Sequence, residues 1–232
     1  MIRFKKSITF LLLLFFVGCG SDSQKFTDGS VVSSYARGFI NVDECDAIVD
    51  KVFLAICYDS SLKAAKAVGY SLDGVLVHQL NITDRPPFYE ESSLDANSRA
   101  TYSDYTNSGY DRGHLAPDAS FDWSQESLDS TYSLANIIPQ VPEVNQHMWV
   151  DVENYERSKA VDLGTVNILN IVKYSNTPTR IGANQIAVSE GYYKVLYKDE
   201  YQECFYYAND LNASSNGDTL ALHQVACSEV SY

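Results

Sequence analysis

The chain has 232 residues, of which 45% are hydrophobic and 20% are charged, so it can bury the core of one globular domain or of two small ones. Its 12 Gly and 6 Pro exclude a collagen-like or disordered chain, and its single long apolar run excludes a polytopic membrane protein. With 30 acidic and 17 basic residues, the net charge of −13 argues against a protein that coats nucleic acid by bulk electrostatics, but not against an enzyme with one small basic site.

The N-terminus has the pattern of an export signal. Residues 1–18 (MIRFKKSITFLLLLFFVG) join a basic segment to an apolar stretch that is too short to span a bilayer comfortably, which predicts a signal peptide. The Gly18-Cys19 that follows resembles a bacterial lipobox, which implies that Cys19 carries lipid. An ordinary signal peptide that leaves Cys19 free is the alternative. Residues 19–34 are small and polar and predict a flexible tether, and residues 35–232 are expected to form a single domain.

Export fixes the expected location and charge of the mature chain. We expect it in a bacterial cell envelope, anchored to a membrane through Cys19 on the periplasmic or outer side, or otherwise secreted. Loss of residues 1–18 removes three basic residues and no acidic ones, which leaves 14 basic against 30 acidic residues and a net charge of −16. The sequence identifies no protein partner.

The first part of the mature chain predicts strands and a long loop. Residues 52–58 (VFLAICY) are apolar and strand-like. Residues 66–72 and 75–80 predict two further strands, with a hairpin turn at Asp73-Gly74 between them. Residues 81–110 are rich in Ser, Asp, Asn and Tyr and predict a long surface loop, a type of segment that is often functional.

The second part predicts one helix followed by strands. Residues 143–159 follow Pro142 and carry Val144, Met148 and Val152 at helical spacing. Strand-like runs return at 165–173, 185–198, 202–208 and 219–226. Because helices and strands do not alternate, the pattern favours an α+β fold in which a central, mostly antiparallel sheet is flanked by helices.

Four cysteines remain besides Cys19, and in an exported chain they suggest two disulfides with three possible connectivities. Pairing Cys45 with Cys57 and Cys204 with Cys227 is favoured, because each pair is close in sequence and brackets a plausible turn. Buried thiols are the alternative, which an oxidising compartment disfavours.

The segment Asp111-Arg112-Gly113-His114 carries candidate chemistry. A neutral imidazole at His114 would serve as a general base near neutral pH. Arg112 shares a face with His114 if the segment is extended, where its charge would help to keep the base neutral and would bind a phosphate. A lone histidine is more often structural, so this segment alone does not establish a catalytic role.

A second set of polar residues recurs every four positions on the predicted helix, and each step advances about 40° around the helix axis. The set is Asn145, Trp149, Glu153 and Arg157. One interpretation is a surface ion pair between Glu153 and Arg157. The other is a divalent-metal site, because Asn145 offers a hard carbonyl oxygen and Glu153 a carboxylate that can hold metal-bound water.

The order and spacing of these residues resemble the DNA/RNA non-specific endonuclease family, the ββα-metal nucleases with a DRGH motif. The match runs over residues 111–157: DRGH-x-A-P, N-x-x-P-Q at 136–140, an Asn five residues beyond that Gln, then Trp, Glu and Arg at four-residue steps. Residues 186–195 also look like the family's later strands. Residues 169–172 (LNIV) depart from the Gly-Pro common there, and the N-terminal half is only weakly similar.

The resemblance implies a ββα-metal nuclease fold and a Mg²⁺-dependent endonuclease that cuts both DNA and RNA and leaves 5′-phosphate ends. It implies that His114 activates a water molecule as general base. It implies that Asn145 is the direct ligand of Mg²⁺, with Mn²⁺ as a substitute, and that Glu153 holds metal-bound water.

The resemblance also implies roles for the arginines and for Asn136. Arg112 and Arg157 would neutralise charge on the phosphate, and Asn136 would brace the site. Arg85 aligns loosely as a further phosphate contact, with a structural turn residue as the alternative. Lys194 is a further candidate for the local basic patch on which nucleic-acid binding by so acidic a chain would depend.

Two other functions stay open at this stage. One is a phosphodiesterase of narrower specificity that acts on nucleotides or phosphorylated surface molecules. The other is a catalytically silent lipoprotein that binds nucleic acid or serves a structural role. The sequence contains no CxxC pair, HExxH or P-loop, so zinc-site, zincin and nucleotide-hydrolase functions have no support.

Overall fold

The computed structural model describes residues 40–230. The predicted signal peptide, Cys19 and the 19–34 tether therefore lie outside the described residues. No helix within 40–230 is long and apolar enough to cross a membrane.

A seven-stranded sheet, antiparallel throughout, forms the centre of the fold. The strands in the described part of the chain are Ala47–Asp50 (β1), Leu54–Asp59 (β2), Ala64–Asp73 (β3), Asp111–His114 (β4), Ile137–Gln140 (β5), Thr165–Lys173 (β6), Arg180–Ile181 (β7), Ile186–Ala187 (β8), Gly191–Lys198 (β9), Tyr201–Ala208 (β10) and Gln224–Val225 (β11). The large sheet has the order β1-β2-β3-β6-β9-β10-β11, and β4-β5 and β7-β8 form two small sheets of their own.

Within residues 40–230, two α-helices accompany the sheet: α1 (Gln125–Thr131) and α2 (Trp149–Leu163). A π-helical turn, Val144–Met148, runs directly into α2. Helix α2 packs on β6 and β3 and buries Trp149, Val152 and Ala160. The α+β architecture predicted from the sequence is confirmed.

The main core lies between α2 and one face of the sheet. Alternate residues of the central strands point to this face, because side chains along a strand alternate between its two sides. They include Leu54, Tyr70, Ile168 and Leu196, all of which are fully buried.

Both favoured disulfides are present. Cys45–Cys57 joins the segment before β1 to β2, with a Cα–Cα distance of 5.1 Å. Cys204–Cys227 joins β10 to the C-terminal turn, with a Cα–Cα distance of 5.3 Å. Each closes a short loop near an edge of the large sheet.

The predicted hairpin at Asp73-Gly74 is wrong. The Asp73 carboxylate accepts hydrogen bonds from the backbone N–H groups of Val75 and Leu76, which starts a 3₁₀ turn at Leu76–His78 instead of a strand. Strand β3 pairs with β2 and with the distant β6.

Two predicted strands are shorter than expected. The run 185–198 is divided into β8 and β9, and the run 219–226 is a 3₁₀ turn at Leu220–His223 followed by the two-residue β11. The 81–110 segment is largely irregular, as expected of a loop, with a 3₁₀ turn at Tyr102–Tyr105.

Candidate active site

The β4–β5 ribbon and the helical segment after it place the motif residues. In the antiparallel ribbon, Asp111 pairs with Gln140 and Gly113 pairs with Ile138. The chain then turns at 141–143 into the π-helical turn that carries Asn145 and continues as α2. Two strands and a helix thus bring residues 111–114 and the polar residues of the helix to one region.

The glycine of the DRGH motif is required by its neighbour across the ribbon. A Cβ at Gly113 would lie 1.7 Å from Oε1 of Gln140, which is fully buried. The Gln140 side chain therefore occupies the space that any side chain at 113 would need. Arg112 and His114 point to the opposite face of β4 from Gly113, so this packing fixes the strand without crowding them.

Asn136 supports the loop that follows β4. Its Oδ1 accepts a hydrogen bond from the Ala116 N–H (3.0 Å), and its Nδ2 donates to the carbonyls of Ala116 (3.0 Å) and Thr131 (2.9 Å). The residue is fully buried. Its contacts join the loop next to His114 to the end of α1.

His114 is neutral at physiological pH. Burial lowers the pKa of its imidazole to about 4; the nearby Arg85 charge adds to the decrease, and the Asp118 carboxylate acts against it. The ring packs against those of Phe88 and Tyr132, with centroid distances of 5.4 and 5.0 Å. Its buried Nε2 has no hydrogen-bond partner within the described residues.

A small charge network lies beside His114. Arg85 contacts two carboxylates, Asp118 (Nε–Oδ2, 3.3 Å) and Asp122 (Nη2–Oδ2, 3.3 Å), and the Tyr132 hydroxyl donates to Asp118 (2.8 Å). The positive charge of Arg85 is thus already matched by protein carboxylates, and a phosphate contact by Arg85 stays a prediction. Sequence reasoning missed Asp118, although it stands only four residues after His114 and directly follows the motif's Pro117.

Arg112 is held against an aromatic side chain. Its guanidinium carbon lies 3.7 Å from the centre of the Tyr102 ring, and its Nη2 donates to the Tyr102 carbonyl (3.1 Å). Because stacking on an aromatic ring restricts a flexible arginine, Tyr102 orients the cation that precedes the DRGH glycine. Tyr102 belongs to the 81–110 loop, and nothing in the sequence alone distinguishes it from the loop's other tyrosines.

Asn145 is oriented by the first residue of β4. Its Nδ2 donates to Asp111 Oδ2 (3.0 Å), and the adjacent Gln146 side chain donates to the same oxygen (2.8 Å). This bond engages the amide nitrogen of Asn145 and not its carbonyl oxygen, the atom that could ligate a metal. Asp111 is thus a second functional residue whose role sequence reasoning missed.

Glu153 is a half-buried carboxyl on α2, eight residues after Asn145. Burial raises its pKa to about 8; the charges of Glu156 and Asp118 add to the increase, whereas Lys194 and Arg157 act against it. The charges of Lys194 and Arg157 therefore offset the burial of this carboxyl only in part. Its ionised form would be favoured by a divalent ion nearby.

The donor set fits a magnesium ion that retains most of its waters. Among residues 40–230, no group of three or more His, Cys, Asp and Glu side chains is placed to hold a metal. A metal here would rest on the Asn145 amide oxygen and, through water, on Glu153. Few protein ligands, all of them oxygen, suit Mg²⁺.

Arg157 completes the polar stripe of the helix. It does not pair with Glu153 as the simpler interpretation supposed. Its Nη1 donates to Ser120 Oγ (3.3 Å) and its Nη2 donates to Asn154. These contacts orient the guanidinium with neutral partners, so its charge stays available to a phosphate.

The prediction that Lys194 contributes to a basic patch is wrong. Lys194 is fully buried and its Nζ pairs with Glu156 Oε2 (2.5 Å), which is also fully buried. The same carboxylate accepts hydrogen bonds from Tyr70 (2.9 Å) and Ser120 (2.9 Å). Lys194 is therefore a structural cation behind the site and cannot reach a phosphate.

The departure at residues 169–172 has a structural explanation. Asn170 lies fully buried on β6, where its Nδ2 donates to the carbonyl of Leu115, the residue after His114 (3.0 Å). A side-chain amide thus anchors the loop beside the candidate base, and the local backbone is an ordinary strand paired with β3 and β9.

Comparisons with known proteins agree with this geometry. A family model described as DNA/RNA non-specific endonuclease matches residues 37–225. Mitochondrial endonuclease G of Bos taurus and of Homo sapiens are each 35% identical over 155 residues, which cover 61% of this chain and 50% and 51% of those proteins. A nuclease of Syncephalastrum racemosum is 43% identical over 75 residues, 32% of this chain and 23% of that protein.

A solved crystal structure of the EndoG/EndoGI complex matches with a TM-score of 0.69 at 23% identity, covering 77% of this chain and 80% of the matched chain. At that identity the match shows the fold, and the ββα-metal nuclease fold expected from the sequence is confirmed. The chain spans about half the length of the endonuclease G proteins that it matches.

Proposed function

Because the chain belongs to the DNA/RNA non-specific endonuclease family, we propose that it is a metal-dependent endonuclease that hydrolyses phosphodiester bonds in both DNA and RNA. The observation that carries the proposal is the placement of His114 on β4, with a buried Nε2 that no described residue hydrogen-bonds. A histidine kept neutral by burial stands beside Arg112 on β4, next to a helix that presents Asn145 and Glu153. A neutral imidazole can take a proton, and it is placed among groups suited to a phosphate and a hard cation.

The reaction follows from these groups. His114 takes the proton of a water molecule as its oxygen attacks phosphorus, and the bond from phosphorus to the 3′ oxygen breaks. The 3′ oxygen leaves with the bonding electrons and takes a proton from solvent water. The products are a 5′-phosphate and a 3′-hydroxyl. Because the nucleophile is water, no covalent intermediate with the protein forms.

The two arginines handle the phosphate charge. Arg112, held by Tyr102, and Arg157, held by Ser120, donate to the non-bridging oxygens, whose negative charge grows as water attacks. Within residues 40–230, neither arginine forms an ion pair with an acidic side chain, so both charges can pair with the substrate phosphate.

The helix supplies the metal site. Asn145 would hold Mg²⁺, or Mn²⁺ in its place, through its amide oxygen, and Glu153 would hold metal-bound water. When bound, the ion supplies Lewis-acid polarisation of the phosphate and stabilises the leaving oxygen. Asp111 keeps the Asn145 amide from rotating, because it binds the amide nitrogen.

Digestion of supercoiled plasmid and of RNA by the purified protein tests this function. We expect cleavage of both substrates with Mg²⁺ and no cleavage with EDTA. The DNA fragments should be joined by ligase without added kinase, because their 5′ ends carry phosphate. Cleavage of only one nucleic acid, or only of small phosphodiesters, would instead support the narrower phosphodiesterase.

We also propose that the enzyme is exported and lipid-anchored through Cys19. The support is the basic and apolar pattern of residues 1–18 and the Gly18-Cys19 pair. We expect the protein to fractionate with membranes and its N-terminal peptide to carry acyl chains. A Cys19→Ala variant should lose both properties, and a wild-type protein found wholly in the soluble fraction would contradict the anchor.

A further inference from the structure

Two adjoining cavities open beside Arg157. The first, here called the aromatic cavity, has a volume of about 390 Å³, and three of its walls are the rings of Phe53, Phe121 and Trp123. The second, here called the polar cavity, has a volume of about 410 Å³ and is lined by Arg157 together with His78, Gln79 and Asn81. Both volumes fall in the range of small-molecule sites.

The two cavities are neighbours along the chain and in space. Val77 lines both of them. The short segment 119–123 forms their common boundary, with Ser120, Phe121 and Trp123 on the aromatic side and Ala119 and Asp122 on the polar side. The two cavities therefore adjoin, with Val77 and this segment between them.

One hydroxyl connects the aromatic cavity to the candidate phosphate-binding arginine. Ser120 lines the aromatic cavity, and its Oγ accepts a hydrogen bond from Arg157 Nη1 (3.3 Å). The same hydroxyl donates to the buried carboxylate of Glu156 (2.9 Å), which fixes it in place. The guanidinium therefore lies at the junction of the cavities, in contact with the wall that separates them.

The chemistry of the two compartments matches the two parts of a nucleotide. Aromatic side chains stack on any nucleobase, with about 1–3 kcal/mol per base. A guanidinium with no carboxylate partner binds a phosphate. Trp123 is half-buried, and its ring meets that of Phe53 edge to face at 5.3 Å, so the aromatic wall is already organised.

We propose that the two cavities form one nucleotide subsite, in which the aromatic cavity takes a nucleobase and Arg157 in the polar cavity takes its phosphate. The proposal rests on the proposed function, since it identifies part of the nucleic acid that the same site holds. A base in the aromatic cavity must leave its stack, so the subsite favours single-stranded or easily melted nucleic acid.

The two tryptophans of the chain provide the assay. Trp123 lines the aromatic cavity, whereas Trp149 is fully buried in the core. The full-length protein is titrated in EDTA with adenosine 5′-monophosphate, adenosine and ribose 5-phosphate, and tryptophan fluorescence is excited where the nucleotide does not absorb. EDTA removes metal, so the phosphate contact is measured without a bridging metal ion.

We expect the nucleotide to quench the wild type and to bind about tenfold more tightly than adenosine, as a charge-assisted phosphate contact provides. Arg157→Gln should abolish this difference, whereas the matched variant Arg180→Gln, at an exposed arginine on β7, should keep it. Phe53→Ala should weaken nucleotide and nucleoside alike by about fivefold or more, because it removes one stacking wall. Trp123→Phe should remove the response.

Three results would overturn the subsite: ribose 5-phosphate binding as well as the nucleotide, no quenching of the wild type, or quenching that survives Trp123→Phe. Plasmid digestion on the same preparations separates this proposal from the function. A wild type that cleaves but shows no quenching refutes only the subsite. A wild type that binds the nucleotide but never cleaves refutes the proposed function and leaves the subsite in place.

Discussion

Replacing Lys194 by Met should lower the free energy of unfolding markedly and leave the phosphate-binding groups unchanged. Lys194 and Glu156 are both fully buried, and among residues 40–230 Lys194 is the only cation in contact with the Glu156 carboxylate. Removing the lysine leaves a buried carboxylate with only two hydroxyl donors, from Tyr70 and Ser120. Breaking a buried pair in this way costs about 3–5 kcal/mol.

A double variant separates the lost charge from the lost packing. Lys194→Met combined with Glu156→Gln removes both charges, yet the Gln oxygen still accepts from Ser120 and Tyr70. We expect the double variant to lie within about 1 kcal/mol of the wild type, because a neutral isosteric replacement of a buried pair is often tolerated. Urea unfolding followed by Trp149 fluorescence measures both, since Nζ of Lys194 lies 4.7 Å from that ring's centre.

The reasoning fails if Lys194→Met is as stable as the wild type and instead raises the KM for nucleic acid. That result would mean that Lys194 reaches the substrate, as its sequence context alone suggested. It also fails if the double variant is no more stable than the single one, because the loss would then come from packing and not from an unpaired charge.

Three further predictions concern the site. Gly113→Ala should lower the free energy of unfolding by about 1–3 kcal/mol, because its Cβ would lie 1.7 Å from Gln140 Oε1. Adding Gln140→Ser should restore part of the lost thermal stability, and a double variant no more stable than Gly113→Ala would refute the clash with Gln140. The pKa of His114 is about 4 in the folded protein, against 6.5 in the unfolded chain. Between pH 6.5 and 4 the unfolded chain therefore binds a proton that the folded protein does not, and about 3 kcal/mol of the free energy of unfolding is lost as the pH falls through this range. His114→Gln should lack that loss in urea unfolding, and an unchanged pH profile would contradict the burial. Raising salt from low levels should leave plasmid cleavage flat or increase it, because the −16 charge of the chain after residue 18 repels DNA until it is screened; a steep monotonic decrease would indicate a large basic surface instead.

The sequence predicts those elements whose pattern is local. Strand β6 was expected at 165–173 and occupies Thr165–Lys173, because its β-branched residues suit a strand buried on both faces. Helix α2 was expected from the spacing of its apolar residues. The sequence gives no sign that the predicted hairpin at Asp73 is absent. The Asp73 carboxylate accepts hydrogen bonds from two backbone N–H groups, and these bonds turn an apparently strand-like run into a 3₁₀ turn.

Short or polar elements escaped prediction. Helix α1 (QESLDST) has few apolar residues and is defined mainly by its cap, in which Ser124 and Ser127 exchange hydrogen bonds. Strand β1 has only four residues and is held by pairing with β2 and by the Cys45–Cys57 disulfide. Neither feature produces a periodic hydrophobic signal.

The candidate site also has a part that the sequence predicts and a part that it does not. The motif predicts the residues that would contact the substrate and the metal, because the reaction requires those residue types at that spacing. The residues that position them come from elsewhere: Tyr102 for Arg112 is ten residues away, and Asn170 reaches Leu115 across 55 residues. Such contacts depend on the tertiary fold, so no local sequence pattern predicts them. The same reason explains the wrong prediction for Lys194, which is buried against Glu156 and not exposed in a basic patch.

The most direct test of the account is metal-dependent digestion by matched histidine variants. Plasmid DNA and RNA are incubated with the purified wild type, His114→Ala, Asn145→Ala and His147→Ala, each with Mg²⁺ and with EDTA. His147 is the control, since it is exposed on the same helical turn as Asn145. The account predicts that wild type and His147→Ala cut both substrates with Mg²⁺ only, and that His114→Ala loses at least about 100-fold in rate. A folded His114→Ala variant that cleaves at the wild-type rate would contradict it.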